Sequence, residues 1–161
     1  MTEENRSAAP HPGTVPPGTV TVETAGTGKY VQRVHTASHD ALADEPKSVG
    51  GDDLGLSPYD YLLAALGACT NMTLQMYAER KGWPLESVAT RLTHAREHVE
   101  DCEGCEDDGR LDVMTRAITL SGDLSDAQIT KLMQIADKCP VHKTLTGHIE
   151  VRTTRSAGDE A

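Results

Sequence analysis

The hydrophobic pattern of the chain switches between two periods. Some stretches alternate residue by residue and others repeat at helical spacing. Residues 19–25 and 29–35 alternate with β-branched positions around Gly26-Thr27-Gly28, which predicts a β-hairpin. A turn at His39-Asp40 leads into a short strand over residues 41–44, and residues 45–56 read as a loop. The most strongly specified helix then spans Ser57 to Gly82. Ser57 suits the N-cap and Pro58 the first helical position, while Asp60 sits where a carboxylate accepts amide hydrogen bonds and opposes the positive end of the helix dipole. Arg80 and Lys81 fall in the last turn, Gly82 is a left-handed cap, and Trp83-Pro84 prevents continuation. Between these signals, Leu62, Leu63, Leu66, Cys69, Met72, Leu74, Met76 and Tyr77 cover most of the circumference, so the helix is expected to be buried on more than one side.

Beyond Pro84, residues 87–99 alternate: Val88, Thr90, Leu92, His94, Arg96 and His98 share one face. An acidic connection over residues 100–110 and a return strand over 111–120 complete a second hairpin. Ser125 and Gln128 form a capping box, with Leu124 and Ile129 as a hydrophobic staple, so a second helix starts there. Ile129, Leu132, Met133 and Ala136 give it one apolar stripe, and Pro140 is expected to end it just after Cys139. A final strand is expected over residues 145–153. This order predicts an α+β domain over residues 19–154, between a flexible tail at 1–18 and a short polar tail at 155–161.

Composition narrows the function. With no phenylalanine, one tryptophan and four tyrosines, the core of this 161-residue chain is filled by aliphatic and methionine side chains, and a subunit partner would help it. A formal charge of −10 without a basic stripe argues against nucleic acid and anionic membranes, and favours a small neutral or organic substrate. No window approaches the roughly 18 apolar residues of a membrane span and the first 20 residues lack signal-peptide features, so a cytoplasmic location is expected. Four cysteines in that setting are candidates for reactivity or metal binding. Cys69 in the long helix and Cys139 at the end of the second are candidates for a dithiol brought together by folding; the alternative is that each is an inert, buried apolar residue.

Two segments, DEPKSVGGDDLGLSPYDYLLAALGACTNMTLQMYAERKGWPL and LSGDLSDAQITKLMQIADKCPVHKTLTGHIEV, resemble the OsmC/Ohr family of osmotically induced and organic-hydroperoxide-resistance proteins, and within it the general OsmC-like branch. The resemblance runs from about Tyr30 to Thr153. It implies an intertwined homodimer with curved antiparallel sheets around buried central helices and active sites at the subunit interface. It also implies a thiol peroxidase needing no cofactor, with Cys69 as the thiolate that attacks a hydroperoxide and Cys139 as the resolving thiol. The reductant it implies is a dithiol, either a lipoyl group or a thioredoxin-like protein. The family supports its thiolate with an early-strand arginine and a carboxylate near the start of the central helix. Carried over, these are Arg33, with Lys29 as substitute, and Asp60; Tyr59 stands where the Ohr branch has a glutamate. His142 in the CPVH run is a further supporting candidate, or an exposed loop histidine.

Rival readings are a non-catalytic small-molecule or lipid-binding dimer, and a zinc or redox-sensing protein. For the latter, His94, His98, Cys102 and Cys105 have the residue types of a zinc site. On a strand, however, His94 and His98 stand about 13 Å apart at roughly 3.3 Å per residue, too far to share an ion. That leaves His98, Cys102 and Cys105 as metal candidates, and metal stays outside the leading reading.

Overall fold

The structure, a computed structural model, describes residues 15–98 and 110–155. Most of the expected tails and the acidic connection with Cys102 and Cys105 lie outside these residues. The chain forms two compact units divided between Tyr61 and Leu62.

In the first unit, β1 (Thr21–Thr24), β2 (Gln32–His35) and β3 (Asp40–Ala43) form an antiparallel sheet in chain order, as the alternation predicts. Gly28 adopts φ 70°, and a Cβ there would meet Val31 Cγ2 at 2.5 Å, so the turn requires glycine. His35, only 4% exposed, ties the three strands together. Its Nδ1 lies 2.7 Å from Asp40 Oδ1 on β3, and its Nε2 lies 3.1 Å from Glu23 Oε1 on β1. The Asp40 hydrogen bond, against the cost of burial and with help from Glu23, raises the His35 pKa above its ordinary value of 6.5. A raised folded-state pKa gives stability that is complete below the unfolded value and lost as pH rises through the folded one. Unfolding by urea is therefore expected to become easier as pH rises above about 6.5, through the raised imidazole pKa seen by NMR. His35→Asn should flatten that slope; an unchanged slope would contradict the role.

The loop after β3 is wound on a buried carboxylate. Asp44 Oδ1 accepts the Glu45 N–H at 2.8 Å, and Oδ2 accepts those of Asp52 at 3.0 Å and Leu54 at 3.2 Å. Burial pushes the Asp44 pKa up, but the backbone donors, led by Leu54, outweigh it and leave the pKa lowered. A single 3-10 turn, Lys47–Val49, lies inside this loop.

Helix α1 (Pro58–Lys81) runs from the first unit into the second with the expected ends. Asp60 Oδ2 accepts the Ser57 N–H at 3.0 Å and its hydroxyl at 2.6 Å, while Ser57 Oγ accepts the Asp60 N–H at 3.2 Å. At the other end Gly82 takes φ 64°, and the Trp83 N–H donates to the Ala78 carbonyl at 3.0 Å, the closure of a left-handed cap. The expected burial on more than one side is met on one side only in this single chain. Leu66, Gly67, Thr70, Leu74 and Ala78 form the buried stripe, whereas Met72 and Met76 are 60% and 70% exposed.

Strands β4 (Leu85–His98) and β5 (Arg110–Gly122) pair antiparallel and supply the surface for that stripe. A Cβ at Gly67 would lie 2.8 Å from Leu92 Cδ1, so glycine lets the helix lie close to the hairpin. Helix α2 (Asp126–Ala136) begins with the expected Ser125–Gln128 capping box. Leu74, Ala78, Leu132, Ile135 and Ala136 form the core, covered by Tyr77, Trp83, Val88, Ile118, Leu120 and Leu124.

Two expectations about the C-terminal part are corrected. Helix α2 stops at Ala136, and Pro140 does not merely end a helix. It occupies the first turn of a new one, α3 (Pro140–Leu145), with Cys139 as N-cap. The final strand over residues 145–153 does not form: 140–145 are helical and the rest has no regular structure. Ile149 and Val151 remain 50% and 82% exposed, so the alternation lacks a partner strand among the described residues.

Candidate functional site

Cys69 sits in the middle of α1 beside the buried stripe and is half-buried; Cys139, in the turn between α2 and α3, is fully buried. Both are free thiols, and they lie close enough for each side chain to shift the ionisation of the other. Folding thus brings together the two cysteines singled out in the sequence.

Their surroundings differ. Burial and the neighbouring Cys139 sulfur push the Cys69 pKa up, against the Val141 backbone N–H and the Thr73 hydroxyl. At Cys139 burial also acts upward, but the Cys69 thiol, the backbone N–H groups of His142 and Val141 and the Thr70 hydroxyl outweigh it, and the pKa is lowered. The α3 backbone N–H groups act electrostatically, since none of them makes a capping hydrogen bond to the Cys139 side chain. The two ionisations are linked, since each sulfur acts on the other, upward at Cys69 and downward at Cys139.

Two residues that sequence reasoning passed over complete the site. Thr70 is fully buried and donates its hydroxyl to the Leu66 carbonyl at 2.8 Å. Arg116 on β5, with a side chain 12% exposed, donates through Nη1 to Thr70 Oγ1 at 2.9 Å and to the Ala136 carbonyl at 3.1 Å. Its Nη2 donates to Asp137 Oδ1 at 2.8 Å. A signal existed: Arg116 interrupts the inward row Met114, Ile118, Leu120 of an alternating strand.

The supporting candidates fare differently. Asp60 is the helix-cap carboxylate, and Ser57 holds its pKa below the usual range. Arg33 lies in β2 opposite Glu23 and Leu42, in the first unit. Lys29 packs its ammonium 4.8 Å from the Tyr30 ring centre. His142 assists Cys139 through its backbone N–H; its ring is half-buried on α3. Among the metal candidates, the strand assignment keeps His98 four positions from His94, whose Nε2 is 2.8 Å from Asp112 Oδ1. Cys102 and Cys105 lie outside the described residues, and no cluster of three or more metal-ligating side chains occurs among those described. No helix among them is long and apolar enough to cross a membrane.

Beside the dithiol runs a cleft of about 520 Å³, lined by Thr73, Met76, Tyr77, Ile135 and Pro140, with Arg80, Lys131 and Lys138 also on its walls. Its lining combines apolar side chains with three cationic ones.

No curated protein matches the chain in sequence. Its fold is that of several solved structures. An OsmC-like protein from Mycoplasma pneumoniae is 19% identical at a TM-score of 0.62, over 80% of this chain and 86% of that one. An organic hydroperoxide resistance protein from Elizabethkingia anophelis is 16% identical at 0.59, over 81% and 89%. A Legionella pneumophila structure, described as an organic hydroperoxide resistance protein OsmC and predicted redox protein, is 15% identical at 0.58, over 80% and 88%. The family model for OsmC-like proteins matches residues 50–154, a span that holds both cysteines and the helices that present them, and the chain belongs to that family.

Proposed function

We propose that this protein is a cysteine-based peroxidase that reduces organic hydroperoxides, and hydrogen peroxide less well, in defence against oxidative stress. The observation that carries the reading is that Cys69 and Cys139, from segments far apart in sequence, lie close enough to shift each other's ionisation, with Cys139 fully buried and Cys69 half-buried. The hydroperoxide-resistance names of two structures that share the fold support the substrate class.

The chemistry follows from the shared proton. As a hydroperoxide approaches, Cys69 attacks the terminal peroxide oxygen as its thiolate, while Cys139 holds the proton of the pair. The O–O bond breaks, Cys69 becomes a sulfenic acid, and the departing alkoxide recovers a proton from Cys139 to leave as alcohol. The Cys139 thiolate then attacks the Cys69 sulfur, forming a disulfide and releasing hydroxide. An external dithiol, a lipoyl group or a thioredoxin-like protein, returns two electrons. The apolar side chains lining the neighbouring cleft, Met76, Tyr77, Ile135 and Pro140, give an alkyl group contacts that hydrogen peroxide cannot make. The exposed Met72 and Met76 face of α1 supports a homodimer in which the helix gains its second buried side. The working location is the cytoplasm, where such dithiols are kept reduced.

The test is steady-state consumption of cumene hydroperoxide coupled to dihydrolipoamide, with hydrogen peroxide in parallel. Turnover that requires the dithiol and favours cumene hydroperoxide is expected. No consumption with either reductant class would overturn the reading in favour of a binding dimer with inert thiols.

A further inference from the structure

We infer that Arg116 is a positioning residue of the dithiol site, acting through Thr70 to hold the Cys139 turn and to aim a hydroxyl hydrogen at the Cys139 sulfur. The inference deepens the peroxidase reading and concerns the resolving half of its cycle. Arg116 is held from three sides, by Thr70 Oγ1, the Ala136 carbonyl and Asp137 Oδ1. The Ala136 carbonyl also accepts the Cys139 N–H at 3.3 Å, so the guanidinium holds the carbonyl to which the backbone of Cys139 is tied.

The direction of the hydrogen bonds gives Thr70 its part. A guanidinium only donates, so Arg116 occupies an acceptor position on Thr70 Oγ1 and leaves the single hydroxyl hydrogen as the group Thr70 can offer. That hydrogen points to the Leu66 carbonyl at 2.8 Å in the reduced protein. Hydrogen bonding from the Thr70 side chain is among the causes that lower the Cys139 pKa, because donation favours the thiolate. A rotation about one bond therefore moves the hydrogen from a backbone carbonyl to sulfur when charge develops there, and the Arg116 cation polarises the hydroxyl that does so. The titratable and charged groups around Cys139 are Cys69 on α1, Arg116 on β5, Asp137 and Lys138 in the preceding turn and His142 on α3.

The experiment follows the Cβ shift of Cys139 in reduced, [3-13C]cysteine-labelled protein across pH, assigned with Cys139→Ser. It reads ionisation of a buried sulfur and needs no peroxidase turnover, so its failure is distinct from failure of the activity assay. Arg116→Gln and Thr70→Val are each expected to move the Cys139 midpoint up by about one pH unit. The double variant should move it no further than either alone, and Thr70→Ser should restore the original midpoint. Thr70→Val against Thr70→Ser carries the test by itself if Arg116→Gln does not fold. An unmoved midpoint in Thr70→Val, or additive shifts in the double variant, would overturn the inference.

Discussion

Cys69→Ser is expected to lower hydroperoxide turnover on the order of a thousandfold or more, to the level of the uncatalysed reaction with the reductant. Serine preserves the volume and a hydroxyl donor toward Cys139, so the fold should survive while the sulfur that accepts the peroxide oxygen is gone. Cys139→Ser should behave differently. It should consume one equivalent of hydroperoxide and then stall, with Cys69 trapped as a sulfenic acid that dimedone labels. This asymmetry is a demanding test, because the Cys139 pKa is lowered and that of Cys69 raised, which by itself favours Cys139 as the attacking sulfur. In the proposed cycle exposure decides which sulfur attacks: Cys139 is fully buried and Cys69 half-buried, so the hydroperoxide is expected to meet Cys69 first. Equal loss of the first turnover in both variants would contradict the assignment.

Leu74→Ala is expected to destabilise the protein by about 2–5 kcal/mol, the range for emptying a large aliphatic side chain from a close-packed core. Leu74 has no exposed surface and lies one helical turn beyond Thr70, in the cluster where α1 meets Leu132, Ile135 and Ala136 of α2. The core has no phenylalanine to expand into the space. Urea unfolding of the reduced protein gives the number. Leu74→Met, which conserves volume, should cost less than about 1.5 kcal/mol. A loss below about 1 kcal/mol in Leu74→Ala would mean that α1 is not seated as described.

What could be read from the sequence was local. Ser57, Pro58, Asp60 and Gly82 each carry a backbone preference of their own, so both ends of α1 were legible. The same holds for the capping box of α2 and the alternating strands of both hairpins. Pro140 was misread because proline both stops a helix and starts one, and the three residues after Ala136 give no signal that separates the two uses. Residues 145–153 alternate as a strand does, but alternation supplies no partner for the backbone, and in this chain Ile149 and Val151 stay in solvent.

The site was legible in its sulfurs and not in its support. Cys69 and Cys139 stood out through the resemblance and not through their spacing. Arg116 contacts Thr70 across 46 positions, and only the packing of β5 against α1 and α2 makes that contact visible. The family resemblance puts the supporting cation on an early strand, but Arg33 there belongs to the first compact unit and both cysteines to the second. Asp60 was recognised for the role it holds here, as a helix cap.

The most direct test of the central claim is to treat the reduced wild-type protein with one equivalent of cumene hydroperoxide and map its disulfides by mass spectrometry. A Cys69–Cys139 bridge, formed within one turnover with loss of two thiols per chain, is the expected result. Four surviving thiols, or a bridge confined to Cys102 and Cys105, would contradict it.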